Sequence, residues 1–328
     1  MTNKIEWINS AKGIGIMLVV YGHVARGLVE ASISGGYVYQ LNMVDNFIYM
    51  FHMPLFFLLS GLFLLNSFDK YGYKGLVFNK LETILYPFVL WSLLQGGIEA
   101  FLSNYTNGSV SVSEVFGSLF IPRAQFWFLY ALFIFFCMFG FLLNLNRSKL
   151  FLFFCVVLSL SLYLFGSGFT NNFIYQYFSS FSVFFLFGVC FKDEIIGLEF
   201  SLFWGRLFTF LLVPLVFFLV LYFDISYLSR GFSTLIFSMV MIVFIIYLSK
   251  INKIRSLALL GRYSMFIYLA HILAGSGARV LLDKLLNITD FWVHLFVGVF
   301  SGLVFPLIAV IILHEMGIYF LERFPRCR

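Results

Sequence analysis

Charge is what this chain lacks. Only 11% of its 328 residues are charged and 62% are hydrophobic, with a mean hydropathy of +0.98. Soluble domains carry about a quarter charged residues, so a water-soluble fold is excluded and an integral membrane protein is expected. Alternating ten-residue segments are also missing, which argues against an outer-membrane barrel and for helices. The first residues, Met1-Thr-Asn-Lys-Ile-Glu-Trp7, offer no small-x-small cleavage site. The first apolar run is therefore expected to stay as a membrane helix. Cysteine is sparse: Cys137, Cys155 and Cys190 sit within apolar runs and Cys327 at the tail. None has metal-site spacing, and the first three read as small core hydrophobes. With no repeat, no low-complexity tract and no recognisable soluble domain, residues 1–328 read as a single membrane domain.

What the chain does have is apolar runs close to the length that spans a bilayer. Ten can be placed, at 11–29, 46–66, 82–103, 126–144, 150–166, 178–191, 207–223, 232–249, 258–281 and 292–313. The expected fold is an all-α polytopic bundle of about ten helices, with longer loops near 67–81 and 104–125. Assigning the 21 Lys and Arg to alternate sides puts 16 with the termini and 5 opposite. That asymmetry predicts both termini in the cytoplasm. It also accounts for the net charge of +6 as topology, so a nucleic-acid partner is not expected.

Two ionisable groups interrupt the first run. Lys12 and His23 are separated by ten residues, which on a helix places them on one face about 16 Å apart. Ionisable groups at membrane depth are costly and face a protein interior or a watery cavity. With the predicted orientation His23, His52 and His271 all reach the outer half of the bilayer, on the first, second and ninth runs. Lys12 and Arg262 lie near the cytoplasmic face. Neutral imidazole suits a general base, and cations at an inner mouth suit a phosphate-bearing ligand.

Each residue also has a plainer reading. Lys12 can snorkel as a topological anchor, and a lone intramembrane histidine can serve as an interhelical hydrogen-bonding group. His294 and His314 fall at helix ends and read as interfacial, and Pro54 and Pro87 as kinks. A metal is not expected, because no carboxylate or thiolate accompanies the three histidines at ligand spacing. The joint placement, rather than any one residue, raises the functional reading.

Five segments carry a family resemblance. They are Lys12 and His23 with ten residues between, and Phe51-His52-Met53-Pro54-Leu55-Phe56-Phe57-Leu58-Leu59-Ser60-Gly61. The others are Lys80 through Pro87 to Trp91, Phe126-Trp127-Phe128-Leu129-Tyr130, and Leu260-Gly261-Arg262-Tyr263-Ser264 through Tyr268 to His271. In this order they resemble the acyltransferase-3 family of bacterial membrane acyltransferases, in its compact fucose 4-O-acetylase-like branch. The resemblance spans nearly the whole chain. One departure is Asn9, which stands where many members carry Asp, and it is assigned no role. An extracytoplasmic esterase-like domain of the kind some relatives carry is not expected.

The resemblance implies transfer of an acetyl or other short acyl group from cytoplasmic acetyl-CoA to a sugar hydroxyl. The acceptor would be a surface glycan or its lipid-linked precursor, and the setting the bacterial cytoplasmic membrane. It implies no permanently bound cofactor. Lys12 and Arg262 would meet the nucleotide end of the donor, and the 16 Å to His23 is comparable with a pantetheine arm. His23 would act as general base or accept the acyl group covalently. His52, Ser60, Ser264 and His271 would position the acceptor or stabilise an oxyanion. Trp127 and Tyr130 are placed to stack on a sugar or to join an aromatic belt, and Arg123 to contact an anionic glycan or lipid phosphate. The competing class is a transporter or flippase of a lipid-linked sugar or acylated metabolite, which more often shows repeats and paired broken helices. A glycan polymerase would call for a large, charge-bearing external loop.

Overall fold

The computed structural model describes residues 3–102, 111–199, 205, 211–252 and 254–324. Among these every regular element is helical and no strand occurs. Lys253, Cys327 and the start of the seventh expected run, 207–210, lie outside the described residues. In chain order the helices are α1 (Asn3–Glu30), α2 (Val38–Tyr49), α3 (His52–Gly61), α4 (Leu64–Lys80) and α5 (Tyr86–Phe101). They continue with α6 (Val112–Gly117), α7 (Trp127–Leu145), α8 (Lys149–Phe165), α9 (Phe173–Cys190) and α10 (Lys192–Gly197). The last are α11 (Val213–Tyr222), α12 (Phe232–Ile251), α13 (Arg255–Arg262), α14 (Ser264–Val280) and α15 (Phe291–Glu315).

Among the described residues eight segments are long and apolar enough to cross a membrane. The remaining two expected runs coincide with shorter apolar helices, Lys149–Phe165 and Val213–Tyr222. The chain is a multi-pass helical membrane protein.

Three expectations need correction. The loop expected at 67–81 is helical, within a helical stretch Leu64–Phe101. The helix is interrupted at Gly72, whose φ of 63° suits a residue without Cβ, and continues through a π turn at Leu81–Leu85. Polar residues within this stretch disguised it as a loop. The second expected run, 46–66, touches three helices: α3 ends at Gly61, before α4, and is parted from α2 at Met50 and Phe51. Pro54 is the cause, since it has no N–H to give the Met50 carbonyl four residues back and its ring crowds that carbonyl. The released oxygen accepts a hydrogen bond from the Ser238 hydroxyl, as hydrocarbon surroundings require. The ninth run likewise divides, with Tyr263 between α13 and α14.

The chain forms two compact units. One comprises residues 1–15, 46–77 and 134–261, and the other residues 16–45, 78–133 and 262–328. In the first unit α3 packs on α9, α9 on α8, and α12 on α3. Lipid tails are as apolar as Leu, so close backbone approach rather than hydrophobicity drives such packing. Gly61 and Gly188 supply it: a Cβ at either would lie 2.1 Å from a carbonyl oxygen of the facing helix, Phe185 or Leu58. Around this crossing the rings of Phe57, Phe135, Phe139 and Phe185 interlock with centroids 5.1–5.9 Å apart. The start of α1 meets α13 equally closely. A Cβ at Gly261 would lie 1.6 Å from the Asn9 carbonyl oxygen, which gives Gly261 a packing role.

In the second unit α14 and α15 pack along their lengths, and α5 meets α6 and α14. Gly298 and Gly302 of α15 admit α1, where added Cβ atoms would come 2.8 Å from Val24 and Val20 respectively. Asp290 caps α15 by accepting from Val293 N at 2.9 Å.

Gly188→Ala is expected to lower the apparent Tm of detergent-solubilised protein by several degrees, because overpacking costs about 1–3 kcal/mol and the obstacle here is backbone. Gly97→Ala, where nothing lies within 4 Å, is expected to melt like wild type. Equal melting of the two variants would contradict the α3–α9 contact.

Candidate functional site

The second unit holds a close pair of histidines. The close approach of α1 to α15, and of α15 to α14, brings the rings of His23 and His271 together with centroids 5.0 Å apart. His271 is 1% exposed and His23 is half-buried. The Nδ1–H of His271 donates to the Tyr268 carbonyl at 2.8 Å and reaches the Ile267 carbonyl at 3.2 Å. Carbonyls only accept, so Nδ1 carries the hydrogen and Nε2 is left as a lone-pair acceptor. That Nε2 is buried and meets no hydrogen-bond partner among the described residues. A buried lone pair without a donor costs about 1–3 kcal/mol, which marks a place where a hydroxyl or amide of a ligand gains most.

Next to the pair, one turn beyond His23, Arg26 holds Asp45 at 3.7 Å and donates to the Gly22 carbonyl at 3.1 Å. On the other side a polar chain runs outward from His271. The Tyr268 hydroxyl donates to the Gln125 carbonyl, and Gln125 Nε2 donates to Gln95 Oε1 at 2.7 Å. Gln95 Nε2 donates to Glu99 Oε1 at 2.8 Å, and Arg123 stands 3.9 Å from Glu99. Gln125 Oε1 and the Ser92 hydroxyl are buried without partners among the described residues. Sequence reading missed Arg26, Asp45, Gln95, Glu99 and Gln125. A usable signal was present: Trp91, Gln95 and Glu99 recur every four residues in an apolar run, a polar stripe on one helix face.

The other expected site residues distribute between the units. In the first unit the half-buried Lys12 carries its ammonium 5.4 Å from the Phe63 ring, an arrangement favourable for a cation at membrane depth. His52, 3% exposed, opens α3 beside the proline-induced break. Its Nδ1–H donates to the Ile48 carbonyl at 2.9 Å and its ring stands edge-on to Tyr49 at 4.8 Å. Ser60 is half-buried next to Gly61. In the second unit Arg262 is exposed, and Ser264 is half-buried at the start of α14. Trp127 lies against Phe128 at 6.4 Å and Tyr130 against Phe88 at 5.7 Å. Arg123 is exposed apart from its Glu99 contact. His294 departs from the interfacial reading: it is 1% exposed, and its Nε2–H donates to the Ile288 carbonyl at 2.7 Å. The ring closes the connection into α15, which explains a buried imidazole at a helix start. His314 pairs with Glu322 at 2.8 Å.

The fold and these groups define a polytopic helical protein with an intramembrane polar site. The profile of the acyltransferase-3 family, described as "Acyltransferase domain", matches residues 5–311. The chain belongs to this family. It is also similar to "Nodulation protein NolL" of Mesorhizobium japonicum, with 29% identity over 145 residues. That alignment covers 43% of this chain and 36% of the relative, so it spans little more than a third of the relative's length. No solved structure matches.

The Gln95–Gln125 link is directly testable. Gln125→Leu is expected to lower the apparent Tm, since it leaves Gln95 Oε1 buried without its donor at about 1–3 kcal/mol. The double variant Gln95→Leu/Gln125→Leu should melt above the sum of the two single losses. Strict additivity would remove the amide pair from the account.

Proposed function

We propose that this protein is a membrane O-acetyltransferase that moves an acetyl group from acetyl-CoA to a sugar hydroxyl of a surface polysaccharide or its lipid-linked precursor. One observation carries the reading: the ring of buried His271 meets that of half-buried His23, which shares its helix with Lys12. Membership in an acyltransferase family supplies the reaction class.

In the proposed step His23 takes the proton of the acceptor hydroxyl as its oxygen attacks the thioester carbonyl. The tetrahedral oxyanion collapses, the carbon–sulfur bond breaks, and the imidazolium returns its proton to the thiolate of coenzyme A. Atoms and charge balance without a further reactant. His271 has its Nδ1–H bound to backbone, so Nε2 is set to accept a hydrogen bond beside His23. This supports a role in orienting the reacting hydroxyl or a water that relays its proton. The alternative, a covalent acyl-histidine on His23, uses the same residues.

Lys12 lies three helical turns before His23 on α1, about 16 Å away by helix rise. A phosphate-bearing donor bound at Lys12, with Arg262 as a second cation, would bring its thioester toward His23 through an extended arm. The excess of basic residues on the side of the termini supports a cytoplasmic entry for this donor and location in the cytoplasmic membrane. His52, Ser60, Ser264, Trp127, Tyr130 and Arg123 are assigned to acceptor positioning or oxyanion stabilisation. His52 and Trp127, both packed against aromatic neighbours, fit the positioning role best.

Membranes containing the wild-type protein are expected to transfer radiolabelled acetyl from acetyl-CoA to glycan. His23→Ala should reduce that transfer by about 10²- to 10⁴-fold, the usual worth of a general base. Undiminished labelling would sink the mechanism. Lys12→Met should raise the KM for acetyl-CoA by about tenfold while Lys12→Arg largely restores it, as expected for a phosphate contact. An unchanged donor KM would remove the phosphate role and leave His23 standing.

A further inference from the structure

A second polar assembly, wholly within the first unit, is used by none of the roles above apart from His52. The connection between α11 and α12, residues 223–231, is fastened at two points. Near its start both ends of the Asn46 side chain are engaged. Nδ2 donates to the Ile225 carbonyl at 2.8 Å, and the Tyr227 amide donates to Oδ1 at 2.8 Å. Near its end the Arg230 guanidinium donates to the Gln176 carboxamide and the Ser179 hydroxyl, both on the first two turns of α9. These ties press Tyr227 against Tyr49, with ring centroids 4.7 Å apart and planes inclined at 45°. Tyr49 in turn meets the edge of His52 at 4.8 Å.

The arrangement is a preorganised aromatic face. Tyr49, Tyr227 and Arg230 are all half-buried, neither sunk in the core nor fully in solvent. Belt aromatics at a membrane interface stand singly among headgroups. Here a half-buried amide clamp and a five-donor guanidinium with two donors spent fix a ring that a free loop would leave mobile. Organised aromatic faces with a few placed polar groups are the composition of small-ligand sites. A pyranose matches this chemistry, with an apolar C–H face to lie on phenol rings and a rim of hydroxyls to meet Arg230 and His52.

We propose that the Tyr49–Tyr227 face, flanked by His52 and rimmed by Arg230, binds a pyranose unit of the acceptor. The inference rests on the acetyl-transfer reading and names the acceptor side of it. The positive-inside assignment puts this loop, the start of α9 and the His52 end of α3 on the outer side, where a surface glycan is found. Asn46 is a positioning residue that acts through Tyr227.

The test uses full-length protein in nanodiscs and a hexopyranoside carrying a photo-activated diazirine. One arm supplies it as a soluble methyl glycoside, the other linked to a polyprenyl phosphate in the bilayer. Crosslinks mapped by mass spectrometry are expected within residues 46–52 and 224–231 and should be competed by excess unlabelled methyl pyranoside. Tyr227→Ala and Asn46→Ala should weaken the competed labelling by roughly threefold to tenfold, and Tyr227→Phe should retain it. Labelling from the soluble probe assigns a polymer terminus, and labelling only from the polyprenyl probe assigns the lipid-linked precursor. Either supports the site. Labelling elsewhere in both arms, no competition, or equal labelling of Tyr227→Ala in protein that melts like wild type overturns it. Mapped labelling in a protein that transfers no acetyl group would keep the sugar site and reject the acetyl-transfer reading.

Discussion

Hydrocarbon offers no hydrogen bonds, and every polar group at that depth must find its partner inside the protein. The architecture of this chain follows from that constraint. Where Pro54 strips the Met50 carbonyl of its helical donor, Ser238 supplies another from α12, and the break leaves His52 at the start of a helix. Where His271 and His294 are buried, each spends one ring N–H on a backbone carbonyl. Gln95 and Gln125 answer each other across two segments. The rule is not met everywhere: among the described residues His271 Nε2, Gln125 Oε1, Ser92 Oγ, Asp45 Oδ1 and His294 Nδ1 in the second unit and Ser182 Oγ in the first are buried without a hydrogen-bond partner. His271 Nε2 is the one of these that belongs to the imidazole pair, where a ligand hydroxyl would supply the missing donor.

Small residues make such a site possible. Phenylalanine fills much of the volume, but the helices meet at glycines: Gly61 with Gly188, Gly261 with Asn9, and Gly298 and Gly302 with α1. At Gly61, Gly188 and Gly261 the obstacle to a side chain is facing backbone, so these contacts fix how closely the helices approach. A catalytic imidazole gains from that rigidity, because orientation of the reacting groups accounts for much of an enzyme's advantage. The same logic extends to the loop of Tyr227, where Asn46 replaces glycine as the positioning device.

The helical class, the membrane setting and eight of the ten expected spans were legible in hydropathy alone, because apolar runs of bilayer length have few other uses. Lys12, His23, His52 and His271 were legible because charge and imidazole are rare in such runs. The contact between His271 and His23 and the tautomer of His271 were not legible, because both depend on packing and on a backbone bond that sequence does not encode. The helix at 64–80 was missed because its polar face mimics a loop. Gln95 and Gln125 were missed because they lie 30 residues apart and become informative only as a pair. His294 was misread because a histidine at the start of a helix is ordinarily wet, and only the course of the preceding turn buries it.

The central claim is that a donor enters beside Lys12 and its acetyl group reaches an acceptor by way of His23. Sided proteoliposomes test it most directly, with radiolabelled acetyl-CoA on one face of oriented protein and a glycan acceptor on the other. The account predicts labelled acceptor only when acetyl-CoA is on the face bearing the termini, and none with His23→Ala. Labelling that requires donor and acceptor on the same face, or that survives in His23→Ala, would contradict it.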